Sequence, residues 1–198
     1  PETLPKAIAP TPRGGGNMAN NDDGTYTYTT TANAADSFNF NTWKKYAVNA
    51  NALEEKYVAV SAEITVPTAA SSNELALNNG NVRSVAAPLF TGTKKLDVIV
   101  DLSTGQPYIY IDGTAVEAKK TISSPGEFSG VTIYANKAEG KVLTYPFSNV
   151  TETVYSAANT LDEIVFDMIE DVMLEETSQK NNGVPGGLTN WSTENAYD

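Results

Sequence analysis

The carboxylates are the groups in this chain best suited to chemistry, and they crowd into TLDEIVFDMIEDVMLEE at residues 160–176. Cleaving a glycosidic bond asks for two carboxyl groups that flank it. On a strand, alternate residues share a face. Glu163 and Asp167 then lie on one face, but Val165 stands between them and Glu170 points the other way. No other Glu/Asp pair stands out in an aromatic setting. The 198 residues include no His and no Cys, and Arg occurs only at Arg13 and Arg83. The commonest general base, thiol nucleophiles, disulfides and Cys-ligated metals are therefore absent. Asn20, Asn21, Asp22 and Asp23 precede Gly24 as an oxygen-rich group. Hard oxygen ligands suit calcium, yet the EF-hand spacing is missing, so a plain turn is the favoured reading. The residue types predict no catalytic group, no metal, no cofactor and no enzyme.

The same stretch reads differently as an element. Leu161, Ile164, Val165, Met168, Ile169, Val172 and Met173 form an i, i+3, i+4, i+7 stripe, as a helix requires. Thr160 with Glu163 fits a capping box, and Asp162 suits a first turn. As a strand, Ile164, Phe166 and Met168 would share a face, with Glu170 intruding farther on. A strand places Ile164 and Phe166 in the core together. A helix places Ile164 and Met168 there and turns Phe166 away.

Composition sets the surroundings. Hydrophobic residues make up 40% and charged residues 19%, so a packed globule is expected. Thr, Val, Ile and Tyr suit pleated surfaces, and Asn and Gly suit the turns between them. The formal net charge of -11 repels phosphate backbones and anionic bilayers. Nucleic-acid binding and membrane insertion are thus not expected, and no apolar run reaches the roughly 18 residues of a membrane span.

Along the chain, residues 1–16 (PETLPKAIAPTPRGGG) read as an extended N-terminal arm, 17–177 as one domain, and 178–198 as an extended C-terminal arm. The domain reads as successive strands. In NDDGTYTYTTT, Tyr26 and Tyr28 share a face; in DSFNFN, Phe38 and Phe40 do. Val58, Val60, Ala62, Ile64 and Val66 alternate up to Pro67. VRSVAAPLF, interrupted by Pro88, suits an edge or a bend. LDVIVDL, PYIYI and TAVEA make a meander whose Asp112-Gly113 turn suits a type I′ hairpin. GVTIYANK and GKVLTYPF follow, with a turn at Ala138-Glu139-Gly140. Short strands at this spacing predict an all-β antiparallel sandwich of jelly-roll type, with room for one short C-terminal helix.

The stretch LDVIVDLSTGQPYIYIDG resembles the strand–turn–strand of laminin-G-like and concanavalin-A-like jelly rolls, with Tyr110, Ile111, Asp112 and Gly113 matching a "YVDG"-like hairpin. LDEIVFD, residues 161–167, is similar to the "iDEvriy" closing strand of those domains. The resemblance covers about 25 of the 198 residues. It implies glycan binding, adhesion or protein recognition, with some hydrolases and lyases in the family. The hydrolases carry a pattern like E-x-D-x-x-E, which Val165 breaks, and the lyases use a His or Tyr base with Arg or Gln helpers. The resemblance favours a strand through about Asp167, followed by a bulge or a helical turn, while the local signals favour a helix.

Two roles follow. One is a non-catalytic structural or adhesion subunit of an exposed assembly (a virion, a cell-surface layer or an appendage). Its arms would contact neighbouring copies through Leu4, Ile8, Leu188 and Trp191. The alternative is a lectin-like carbohydrate-binding module. Its sugar-stacking candidates are Trp43, Tyr46, Tyr108, Tyr110, Tyr134 and Tyr145. Partners would be other subunits, further copies or glycans. The setting would be extracellular, at a cell surface or on a virion.

Overall fold

The computed structural model describes residues 3–31, 36–70, 73–80, 82–135 and 141–168. Thirteen strands occur among them: β1 (Lys6–Ala7), β2 (Thr11–Arg13), β3 (Asn17–Asn20), β4 (Thr25–Thr29), β5 (Ser37–Val48), β6 (Tyr57–Val66), β7 (Glu74–Asn79), β8 (Val82–Pro88), β9 (Gly92–Asp101), β10 (Gln106–Ile111), β11 (Thr114–Val116), β12 (Gly126–Tyr134) and β13 (Thr144–Tyr155). They form two antiparallel sheets. Sheet A runs β11-β10-β9-β6-β13-β4-β3, with β1 also on β13; sheet B runs β2-β5-β12-β7-β8. The predicted all-β sandwich is the fold. The chain divides into two units, Pro1–Thr160 and Leu161–Asp198, and the sandwich is the first.

Alternation drives the sheets together. On β6, Val58, Val60, Ala62, Ile64 and Val66 are all buried, and they face Val100, Val98, Leu96, Lys94 and Gly92 of β9 in register. Aromatic rings fill the centre. Phe38 stacks on Phe147 at 5.2 Å and lies 4.9 Å from Tyr28. A buried isoleucine or phenylalanine stabilises by about 1.5–3 kcal/mol relative to exposure, so this row supplies much of the drive to fold.

The meander around Asp112-Gly113 forms as expected. Both turn residues have positive φ, 49° and 79°, and the Asp112 carboxylate accepts the Lys95 N–H at 2.7 Å. β8 is an edge strand with Pro88 exposed. The Asn20–Asp23 group is a turn: Asn20 Oδ1 accepts the Asp22 N–H, and Asp23 Oδ1 accepts both the N–H and the hydroxyl of Thr25. Among the described residues no cluster of three or more acidic side chains could hold a metal, and no helix is long and apolar enough to cross a membrane.

Three readings change. The N-terminal stretch is stitched into the sandwich, with β1 paired to β13 in sheet A and β2 to β5 in sheet B. Ile8 is 5% exposed in the core and donates its N–H to the Val150 carbonyl at 2.9 Å. It therefore anchors its own domain, whereas Leu4 is exposed. Second, residues 161–168 are helical, with Ile164 buried, Met168 half-buried and Phe166 63% exposed. That is the helical outcome of the Phe166 test, so the strand implied by LDEIVFD is corrected. The local signals, a capping pair and a 3.6-residue stripe, prevail over the short motif. Third, β5 and β13 run well past DSFNFN and TYPF, and β7 was not anticipated. The Ala138–Gly140 turn, Leu188 and Trp191 fall outside the described residues.

Candidate functional site: a tryptophan platform beside a polar cleft

The reason β5 escaped the pattern is also what builds the site. Phe128 of β12 pairs with Tyr46, and Gly130 pairs with Asn41, so residues 42–45 of β5 stand opposite Ser129 alone. The surplus residues leave the ladder as a large bulge, a device that re-aims side chains. Gly130 permits the turn-in. Its φ is +124°, and any Cβ there would strike the Phe40 carbonyl. Trp43 sits in the bulge with 65% of its surface exposed.

The bulge is tied down by side chains. The Trp43 N–H donates to Glu152 Oε1 at 2.7 Å, and the Thr42 hydroxyl donates to the Lys44 carbonyl at 2.6 Å. Lys44 Nζ donates to Glu55 Oε1 at 2.8 Å and lies 5.2 Å from the Tyr46 ring centroid. Glu152 belongs to β13 in the other sheet and is only 2% exposed. Its Oε2 accepts the Tyr46 hydroxyl. Burial and then the Glu152 carboxylate push the Tyr46 hydroxyl well above its ordinary value, so the tyrosine is held as a donor.

Beside the bulge opens a cleft of about 330 Å³, lined by Tyr46, Asn49, Ala52, Glu54, Glu55 and Leu102. Asn49 shapes it from the backbone outward. Its N–H donates to the Leu102 carbonyl at 2.8 Å, its own carbonyl accepts the Ala52 N–H, and its side chain accepts the Asn51 N–H at 2.9 Å. Carboxylates and an amide around a cleft, and an exposed indole on the bulge, are groups that can bind a polyhydroxylated ring. Hydroxyls meet the oxygens, and the ring's C–H face lies on the indole.

The other aromatic candidates are scattered. Tyr145 is fully buried, its hydroxyl donating to the Ala135 carbonyl, and Tyr46 is 4% exposed; neither ring can stack on a sugar. The sugar-stacking role expected of both is corrected: their register partners Tyr28 and Phe128 are themselves fully buried. Tyr108 and Tyr110 are half-buried on the outer face of sheet A beside Ile99, which is itself fully buried there. Burial, then the charge of Asp101, raises the Tyr108 hydroxyl above its usual value. Tyr134 is half-buried in sheet B, with the Arg13 guanidinium 6.0 Å from its ring. Trp43 alone of the six stands mostly exposed. Sequence reading missed Glu152, which lies 109 positions from Trp43 and meets it only through the fold, and Glu55 and Asn49, which line the cleft.

A second cleft of about 210 Å³ is lined by Thr25, Thr27, Thr65, Ser148 and Glu63, with Phe147 and Tyr26 at its floor. There Tyr26 is half-buried and stacked on Phe147 at 5.6 Å, less exposed than Trp43.

No known protein-family profile matches the sequence, and no curated protein matches it. Solved structures do. An alginate lyase, AlyC3, is similar over 67% of this chain and 75% of its own, at 10% identity and a TM-score of 0.48. A protein of unknown function with a galectin-like fold from Bacillus subtilis is similar over 78% and 100%, at 10% identity and 0.44. The botulinum neurotoxin serotype D ligand-binding domain, in complex with N-acetylneuraminic acid, is similar over 80% and 45%, at 12% identity and 0.45. This chain spans only 15% of a sialidase that also matches. None of these four is named as a laminin-G domain. The expectation that the chain is not an enzyme is corrected. A lyase and a sialidase are among the matches, and the missing His does not decide the question.

Proposed function

We propose that this domain is a carbohydrate-binding module and that its ligand is held against Trp43. The observation that carries the reading is an indole 65% exposed on a bulge whose backbone is fastened to a buried carboxylate. Exposed aromatics usually cost solubility, and one set on a braced support offers a binding face with little entropy left to lose. The Bacillus-like and neurotoxin-like folds are compatible with this reading but do not supply it. An assembly role draws no support from the N-terminal segment, because Ile8 is in its own core. Under this reading the domain would act at an exposed surface, outside the cell or on a virion.

The indole of a tryptophan can bury about 150–250 Å². Covering half of that, at ~25 cal/mol per Å², gives roughly 2–3 kcal/mol. Trp43→Ala is therefore expected to weaken glycan binding at least tenfold, with the melting temperature nearly unchanged because the ring is outside the core. A glycan array followed by titration calorimetry on wild type and Trp43→Ala tests this. An array with no hit, or a hit whose affinity ignores Trp43→Ala, overturns the reading.

A further inference from the structure

We propose that Glu152 is a positioning residue for Trp43, holding the indole platform from the opposite sheet. The proposal rests on reading Trp43 as the ligand-binding face, but its physical core, a braced bulge, is measurable without a ligand.

Glu152 is out of place in a sandwich interior. Its cross-strand partner on β6 is Val60, which is 1% exposed, so the side chain points between the sheets. Burying a carboxylate is costly unless hydrogen bonds and an ion partner compensate. No ion pair joins Glu152 among the described residues. Two donors compensate instead, one for each oxygen: the Trp43 N–H at 2.7 Å and the Tyr46 hydroxyl. Both donors belong to β5, in the other sheet. Glu152 thus spans the sandwich and grips β5 at two points, one on the bulge and one just past it.

The bulge needs such a grip. With residues 42–45 opposite Ser129 alone, the bulge lacks a regular ladder to β12. Its other restraints include the local Thr42–Lys44 contact, the Lys44–Tyr46 ring contact and the exposed Lys44–Glu55 pair. An exposed ion pair adds little stability, about 0–1 kcal/mol. A charge-assisted bond to a buried carboxylate is roughly twice as strong as a neutral one. A leucine in place of Glu152 would suit the core better yet leave the Trp43 N–H and Tyr46 hydroxyl unpaired. What the carboxylate adds, and an apolar residue cannot, is a fixed direction for the backbone that carries the indole.

The test uses the full chain carrying Trp191→Phe, so that Trp43 is the one tryptophan. Glu152→Leu is expected to speed amide hydrogen exchange at Trp43 at least tenfold and to lower its fluorescence anisotropy, while amides of the central strand β6 keep their protection. Glu152→Gln, which retains a carbonyl acceptor, is expected to restore most of both. If Glu152→Leu fails to fold, the Trp43 amide proton resonance decides: in Glu152→Gln it should move upfield as the charge-assisted bond weakens. Unchanged exchange and anisotropy in Glu152→Leu, or an unmoved Trp43 amide resonance in Glu152→Gln, overturns the proposal. Loss of ligand binding in Trp43→Ala decides the glycan reading separately, so the two can fail independently.

Discussion

Asp97 shows what a buried carboxylate costs when its partners do not fully compensate. Its side chain is 3% exposed, with Lys95 Nζ at 3.3 Å and the Ser61 hydroxyl at 2.5 Å. Burial dominates, and the Asp97 carboxyl is raised above its ordinary 3.8 despite the lysine and the serine. The folded chain therefore holds this proton more tightly than the unfolded chain does. The stabilisation is present below pH 3.8 and is lost as pH climbs through the raised value. Asp97→Asn should flatten that part of the profile. Urea unfolding from acid to neutral pH would show the gap between variant and wild type moving in the variant's favour as pH rises. Glu152 differs from Asp97 in what its oxygens contact: a bulge and a tyrosine rather than a lysine. None of this was legible in sequence. Asp97 is flanked by Leu96 and Val98 and Glu152 by two threonines, and which face each takes depends on register.

At the scale of elements, the legible parts were those written in local rules. The Asp112-Gly113 hairpin has turn chemistry that its neighbours cannot override, and the alternation on β6 and β9 survives because one face is core. The helix at 161–168 was legible from its capping pair and stripe, and it was obscured only by likeness to a strand motif. β1, β2 and the far half of β5 were not legible. The first two are short and take their structure from distant partners, and the bulge breaks the period that would have marked the third. The same contrast separates the two N-terminal anchors. Ile8→Ala should cost about 2–5 kcal/mol, as core truncations do. Leu4→Ala, at a site 62% exposed, should stay within about 0.5 kcal/mol. Thermal melts of both variants measure the difference; equal effects would show that the N-terminal strand is not seated as described.

Across the whole molecule, buried tyrosines set an alkaline limit. Tyr28 is raised from 10.0 to about 12, first by burial and then by the charge of Asp36, and Tyr145 is raised further by burial. Their hydroxyls are occupied, Tyr28 donating to the Gly15 carbonyl at 2.8 Å. In the unfolded chain these phenols ionise at 10.0, so folding stability holds below that and falls as pH rises through about 12. Stepwise alkaline titration should show phenolate absorbance from these residues appearing together with unfolding. Independent ionisation in a still-folded chain would contradict the packing described.

Lys6 stands opposite Glu152 in the β1–β13 ladder, and between them in sequence lies most of the sandwich. β1 therefore has no partner in sheet A until β13 is in place, although β2 beside it already meets β5. Closing so long a loop costs only slowly growing entropy, but it cannot be done early. The strand that flanks Glu152 thus cannot be seated before β13, and the tryptophan platform gains this backing only when segments far apart in sequence have met.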